Sequence, residues 1–296
     1  MTENLTIAVI GAGGKMGQRV SNNLRRTDHT VYYCETSPAG QQRVRDAGLA
    51  VTPNEEAVPG ADIVIYAVPD VALEAVTTAT VPLQKGGSMV LTLDPAAAYA
   101  GLLYLRADLD YVVAHPTHPS VFLERTTAEE WADTFGGIAA AQNSVAALQQ
   151  GDESIKPLAE EIIATMYGPV DGVYWASVHD LAVLEPTLNE TIGCMIGQFL
   201  KDAMDTTVEK TDMDEDTVKA MFYGHVYIAL TNALRGSNPF SDACLLAMDY
   251  GREALIKDDW ERIFNDDDLE IVICKMLGIE AVNHHPEVHA PQPATV

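Results

Sequence analysis

Residues 5–20 read LTIAVIGAGGKMGQRV: an apolar, largely β-branched run breaks into glycines at Gly11, Gly13, Gly14 and Gly17, then resumes with helix formers. That order predicts a strand, a phosphate-binding turn and a helix. Gly11, Gly14 and Gly17 give the spacing G-x-x-G-x-x-G, with Gly13 doubling the turn, where close backbone approach to a pyrophosphate leaves no room for a Cβ. The helix opening at Lys15 and Met16 would offer free N–H groups and a partial positive charge to that anion. Such turns also arise for steric reasons alone, so the surrounding sequence has to decide.

A second strand is expected over 29–35 (HTVYYCE), ending in Glu35, 24 positions after Gly11. This is close to the spacing at which a dinucleotide fold grips the adenosine ribose hydroxyls. No Arg or Lys lies between Glu35 and Gln42, so a 2′-phosphate would meet the Glu35 charge without a nearby cation, which predicts NAD rather than NADP. Residues 61–68 (ADIVIYAV) have the character of a strand buried on both faces, ended at Val68 and Pro69. Further strands are expected over 88–93, ending in Asp94, and over 111–114, ending in His115, with helical sequence over 41–47 and from Val71.

Strands alternating with helices predict a doubly wound parallel (Rossmann) sheet with ligands at the carboxyl ends of its strands. The glycine turn, Glu35, Val68, Pro69, Asp94 and His115 should share that edge, all but His115 as cofactor contacts. Residues 138–141 and 144–148 read as two short strands, 154–167 as a helix and 173–175 as a last strand.

From Ser177 the period changes. Ile192, Met195, Ile196, Phe199, Leu200, Ala203 and Met204 recur three and four apart, which predicts a long helix with one apolar stripe, kinked or started by Pro186. Asp212 and Glu215 have the spacing of a capping box for a second helix that runs to Leu234 and stops at Gly236. Shorter helices are expected over 242–256 and 269–277. The expected organisation is a dinucleotide-binding domain over 1–176, an all-helical substrate and dimerisation domain over 177–283, and a mobile Pro- and His-containing tail over 284–296. Apolar helices in so small a domain are hard to cover within one chain, which predicts a homodimer.

The 296 residues, 47% of them hydrophobic, can form two cores. A net charge of −25, from 43 acidic and 18 basic residues, argues against nucleic acid or anionic membrane as partners. Such acidity also suits a high-salt cytoplasm, where counterions screen self-repulsion. No apolar run approaches the roughly 20 residues of a membrane helix, and MTENLT lacks the plan of a signal peptide, so a cytoplasmic enzyme is expected. Cys34, Cys194, Cys244 and Cys274 form no C-x-x-C pair and read as reduced core thiols.

The second distinctive stretch, residues 114–122 (AHPTHPSVF), follows a strand on the expected cofactor edge. Pro116 and Pro119 stiffen the presentation of His115 and His118. Hydride transfer from an alcohol needs a base for the hydroxyl proton, and an imidazole suits it. Glu185 and Asn189 are four apart on a helix near a proline kink, where a site and a structural role both fit. His179-Asp180 reads as a helix N-terminal cap, His225 as either a core histidine or a substrate contact, and His284, His285 and His289 as tail residues.

With these segments in place, the whole chain resembles the 6-phosphogluconate dehydrogenase-like superfamily, which pairs an NAD-binding domain with an all-helical dimerising domain. AHPTHPS followed by VHDLAVLEPTLNE is similar to the histidine-proline and histidine-aspartate segments of prephenate dehydrogenases. The doubled HPTHPS and the Glu185-Pro186 helix look closer to the D-apionate oxidoisomerase family. The chain lacks the glycine after the His-Pro pair and the Ser-His-Leu-Pro segment of prephenate dehydrogenases, which counts against prephenate. The resemblance implies oxidation of the C2 alcohol of a branched sugar acid by NAD, followed by an α-ketol shift that a bridging Lewis acid favours. It further implies proton transfer or metal orientation by His115 and His118, a metal or base role for Glu185, and contact of Asn189 with the substrate's carboxylate or hydroxyls. Glu185, with Glu190 as a further oxygen donor, could hold Mg²⁺, and a His115 nitrogen would suit a softer ion. Two alternatives stand beside this: a plain NAD-dependent hydroxy-acid or prephenate-type dehydrogenase, and a non-catalytic NAD-binding regulator.

Overall fold

The computed structural model describes residues 4–291. It divides into one unit running to Glu185 and resuming at Glu270, and a second unit, Pro186–Leu269. These boundaries lie later than 176 and earlier than 283 because the helix after Ser177 begins in the first unit and the chain's last segment returns to it.

The first unit is built on a seven-stranded sheet of β1 (Thr6–Ile10), β2 (Thr30–Cys34), β3 (Ile63–Tyr66), β4 (Met89–Thr92), β6 (Asp110–Pro116), β7 (Gln142–Gln150) and β8 (Val170–Ala176); β5 (Leu105–Arg106) stands outside it. The strand order is β2-β1-β3-β4-β6-β7-β8, parallel throughout except that β6 and β7 are antiparallel. Ile7, Val9, Ile63, Val64, Ile65, Val90 and Leu91 are buried, as strands covered on both faces require. Each such side chain contributes roughly 1.5–3 kcal/mol. The order reverses between β1 and β3, the switch point at which a doubly wound sheet opens a crevice. The chain turns there into the helix Lys15–Leu24.

Two expectations for this unit are corrected. Residues 138–141 are not a strand: Asp133 takes the N–H groups of Gly136, Ile138, Ala139 and Ala140 on its carboxylate, so those donors are unavailable to a ladder. The segment after Asn283 is not loose as far as it is described. Val288–His289, as β9, pairs in parallel with β5, and His289 stacks on Tyr104 with ring centroids 4.0 Å apart. Residues 292–296 of the expected tail lie outside the described residues.

The second unit is helical. The helix Val178–Ala182 continues as a π-helix, Val183–Cys194, and then as the α-helix Met195–Lys210, so Pro186 neither starts nor breaks it. A proline lacks the N–H and crowds the carbonyl four residues earlier; the wider π turn accommodates both, and Thr191 Oγ1 donates to the Pro186 carbonyl at 2.7 Å. The helix Glu215–Arg235 is capped by Asp214, whose side chain accepts from the Thr217 N–H, and not by Asp212; Gly236 ends it in the left-handed conformation that favours glycine. Val218 and Met204 are buried, whereas Met221, Tyr227, Ile228 and Leu234 are exposed, as are Leu246 and Tyr250 of the helix Asp242–Leu255. Of the four cysteines only Cys34 is buried, its thiol pushed up to about 12 chiefly by burial; Cys194 is exposed, and all four are free. No helix among the described residues is long and apolar enough to cross a membrane.

Candidate active site

At the crevice, the N–H groups of Gly11 and Ala12 donate to the Cys34 carbonyl, tying the turn to the end of β2. Gly11 has φ 83°, and a Cβ there would stand 2.5 Å from the Ala67 carbonyl oxygen and against Val68. A Cβ on Gly13 would strike the Gly40 backbone. The turn is therefore packed so closely on Ala67, Val68 and Gly40 that only glycine fits, and it leads into the helix N-terminus at Lys15 and Met16, as a dinucleotide-binding turn does. Glu35 closes onto it: one carboxylate oxygen accepts from Gly13 N at 3.2 Å, the other from the Thr36 and Ser37 N–H groups. Arg43, just beyond the cation-free window, donates from Nε to the Gly13 carbonyl at 2.7 Å.

Along the same edge, β4 runs into Asp94 and β6 carries His115, in parallel neighbours. Pro69 precedes the helix Asp70–Thr80. His115 Nδ1 lies 3.1 Å from the Leu93 carbonyl oxygen, which can only accept, so Nδ1 bears the proton and Nε2 is the basic nitrogen. That Nε2 stands 3.3 Å from Glu185 Oε1, while Asp94 Oδ2 is 3.5 Å from Nδ1. Ser144 Oγ donates to the His115 carbonyl, and Tyr167 Oη to that of Ala114, at 2.9 and 2.7 Å. One oxygen each of Asp94 and Glu185 and one nitrogen of His115 lie within 4.8 Å of one another, with Glu185 buried. Burial pushes the Asp94 carboxyl above its ordinary range; the nearby Glu185 adds to this, and His115 and the Ala96 N–H oppose it. Burial, with the Asp94 charge, raises Tyr167 too.

His118 is held separately. It is the described non-glycine residue with positive φ, 59°, and its Nδ1 donates to the Phe135 carbonyl at 2.8 Å, leaving Nε2 basic. Its ring meets that of His115 edge-on at 6.1 Å and leans on Phe135 at 4.5 Å. The stiffened His-Pro-Thr-His-Pro loop thus does present both imidazoles together.

The structure therefore brings His115, Glu185 and Asp94 together, with His118 beside His115. Asn189 is exposed on the π-helix in the second unit, as is Glu190. Ser177 is the cap ahead of His179, its hydroxyl accepting from the Asp180 N–H. His225 is exposed, bonded through Nδ1 to the Met221 carbonyl of its own helix. The sequence reading missed Asp94 as a partner of His115, and missed Phe135 and Asp133. The D-x-x-G-G pattern at 133–137 was the available signal for a carboxylate-organised turn.

Residues 123–277 match the family described as "Phosphogluconate dehydrogenase (decarboxylating) C-term", and residues 6–94 the one described as "NADP oxidoreductase coenzyme F420-dependent". The chain is 51% identical over 277 residues to the D-apionate oxidoisomerase of Pectobacterium atrosepticum, covering 94% of this chain and 97% of that one. It is 39% identical over 267 residues to that of Cupriavidus necator, covering 89% and 96%. Among solved structures, a semialdehyde dehydrogenase NAD-binding protein from Cupriavidus necator in complex with calcium and NAD superposes with a TM-score of 0.88 at 38% identity, covering 93% of this chain and all of that one.

Proposed function

The chain belongs to the D-apionate oxidoisomerase family, and from that premise we propose that it oxidises the C2 alcohol of D-apionate with NAD and then rearranges the carbon skeleton of the resulting ketone. The observation that carries this reading is the convergence of Asp94, His115 and Glu185, one ligand atom of each lying within 4.8 Å of the others, beside a second imidazole. A plain hydride transfer needs one base; two carboxylates and an imidazole gathered at one point also suit a divalent cation.

Asp94, His115 and Glu185 would hold a divalent cation, since a spread of 4.8 Å is compatible with a common centre at ligand distances of about 2.0–2.6 Å. Two carboxylates with one imidazole admit Mg²⁺ and also softer ions. The calcium in the Cupriavidus necator structure supports a metal reading. Bound NAD would supply the hydride acceptor, and a bound cation the Lewis acidity that polarises a ketone and the neighbouring hydroxyl.

The chain's own residues do the rest. Leu93 fixes the tautomer and orientation of His115, and Ser144 and Tyr167 hold the strand that carries it. Phe135 fixes His118 so that its Nε2 accepts the hydroxyl proton as the hydride leaves. Asn189 is assigned to the substrate's carboxylate or hydroxyls. Glu35 selects NAD over NADP by accepting from the ribose hydroxyls, where its charge would repel a 2′-phosphate. The exposed apolar residues of the helical unit are read as a homodimer face, and a cytoplasmic location is proposed, in keeping with the bacterial metabolic relatives.

The test is NADH formation, followed by absorbance, with D-apionate and a panel of linear and branched aldonates. Turnover confined to D-apionate supports the reading. Turnover only on other hydroxy acids replaces it with a plain dehydrogenase, and NAD binding without turnover with a regulator.

A further inference from the structure

The outer face of the helix Lys15–Leu24 carries a cluster of cations that extends away from the glycine turn. A groove of about 720 Å³ runs along it, lined by Lys15, Arg19, Asn22 and Arg26, with Arg43 across from them and Gly137 at its side. Four of the chain's 18 basic residues thus face one cavity in a protein of net charge −25. No carboxylate lines it, and none of the four cations has a carboxylate partner among the described residues.

Two sets of contacts hold part of its lining in place. Lys15 Nζ and the Arg19 guanidinium both sit on the Phe135 ring, 3.8 and 4.4 Å from its centroid, although a like-charge pair four apart on a helix is unfavourable by itself. The floor is fixed: buried Asn23 donates to the carbonyls of Gly137 and Met166, and Arg19 Nε to that of Gly136 at 2.9 Å. Lys15 and Arg19, held on Phe135, and Arg43, held on the Gly13 carbonyl, focus a positive field into a cavity whose far end Arg26 extends.

We propose that this groove binds a dianionic phosphate group, at a site separate from the one the cofactor's pyrophosphate takes at the glycine turn. The helix alone runs about 14 Å from Lys15 to Leu24, with Arg26 beyond its end, farther than a pyrophosphate reaches from the helix N-terminus. The arginines supply the forked donors that phosphate prefers, and Asn22 adds an amide. The free ligand class is a phosphorylated small molecule or inorganic phosphate. The proposal does not depend on the identity of the oxidised substrate.

Isothermal titration of the full chain with inorganic phosphate, at constant ionic strength set with chloride and with saturating NAD, tests it. The expected result is one phosphate per chain bound with NAD in place, weakened at least tenfold in Arg26→Glu, with NAD affinity and the circular dichroism spectrum of that variant unchanged. No phosphate heat at tens of millimolar, binding that NAD abolishes, or binding indifferent to Arg26→Glu would each overturn the proposal. So would competition by NADP but not NAD, since the groove would then be a subsite for the cofactor's own phosphate.

Discussion

His115 Nε2 faces Glu185 Oε1 at 3.3 Å while its Nδ1 stands 3.5 Å from Asp94 Oδ2, so the ring is bracketed by two carboxylates. On the proposed reading, a cation shared by Asp94, His115 and Glu185 would account for a buried carboxylate on a π-helix. The arrangement separates the roles of the two histidines. His118→Ala should lower kcat by about 10²–10⁴-fold while leaving NAD and divalent-cation affinities unchanged. His115→Ala and Glu185→Gln should weaken cation binding at least tenfold, with part of the turnover restored by excess cation. Steady-state kinetics over a cation titration checks both, and near-wild-type turnover in His115→Ala would contradict the assignment.

Removal of the cation follows from the same cluster. EDTA treatment and desalting should abolish formation of the rearranged product and leave NAD binding intact, and Mg²⁺ or Mn²⁺ should restore activity. The check is product analysis beside fluorescence titration of NADH. Full activity after exhaustive chelation would remove the metal from the account.

Asp133 predicts a pH dependence. Burial alone would raise its carboxyl, but the N–H groups of Ala139, Ala140, Ile138 and Gly136 outweigh that and hold it below its ordinary value. The native state therefore binds fewer protons here than the unfolded state. The stabilisation is complete above about pH 4 and is lost as pH falls through the depressed native value. Asp133→Asn should cost roughly 2 kcal/mol at neutral pH and flatten the fall in stability below about pH 4. Because the same turn carries the Phe135 carbonyl that anchors His118, kcat should fall as well. Denaturant titrations at several pH values, with kinetics on the folded variant, provide the measurement.

The exposed apolar residues of the helical unit, including Leu246 at 72% and Tyr250 at 73% exposure, should be covered by a second copy. Sedimentation is expected to show a dimer, and Leu246→Glu should yield monomers. A wild-type monomer at micromolar concentration would contradict this.

How much of this was legible in the sequence follows from the range of each signal. The glycine turn, Glu35 and the strands ending at Asp94 and His115 were readable because each rests on a local pattern of apolar runs and breakers. The partnership of Asp94, His115 and Glu185 was only half readable: Asp94 and His115 meet through parallel pairing of β4 and β6, and adjacency in a sheet is not encoded locally. Residues 138–141 misled because Ile138-Ala139-Ala140 has a strand's composition, while the competitor for its N–H groups, Asp133, lies five and more residues away. Asp212 and Asp214 are equivalent by composition as caps, and only the Thr217 contact picks Asp214. The pairing of Val288–His289 with Leu105–Arg106 joins segments at opposite ends of the chain, beyond any reading of composition.

The central claim is that one site both oxidises its substrate and rearranges it. The most direct measurement is ¹³C NMR of the product formed from labelled D-apionate and stoichiometric NAD. The account predicts NADH equal to substrate consumed and a product whose carbon connectivity differs from that of the starting acid. A ketone with the original skeleton, accumulating with the same NADH yield, would contradict it.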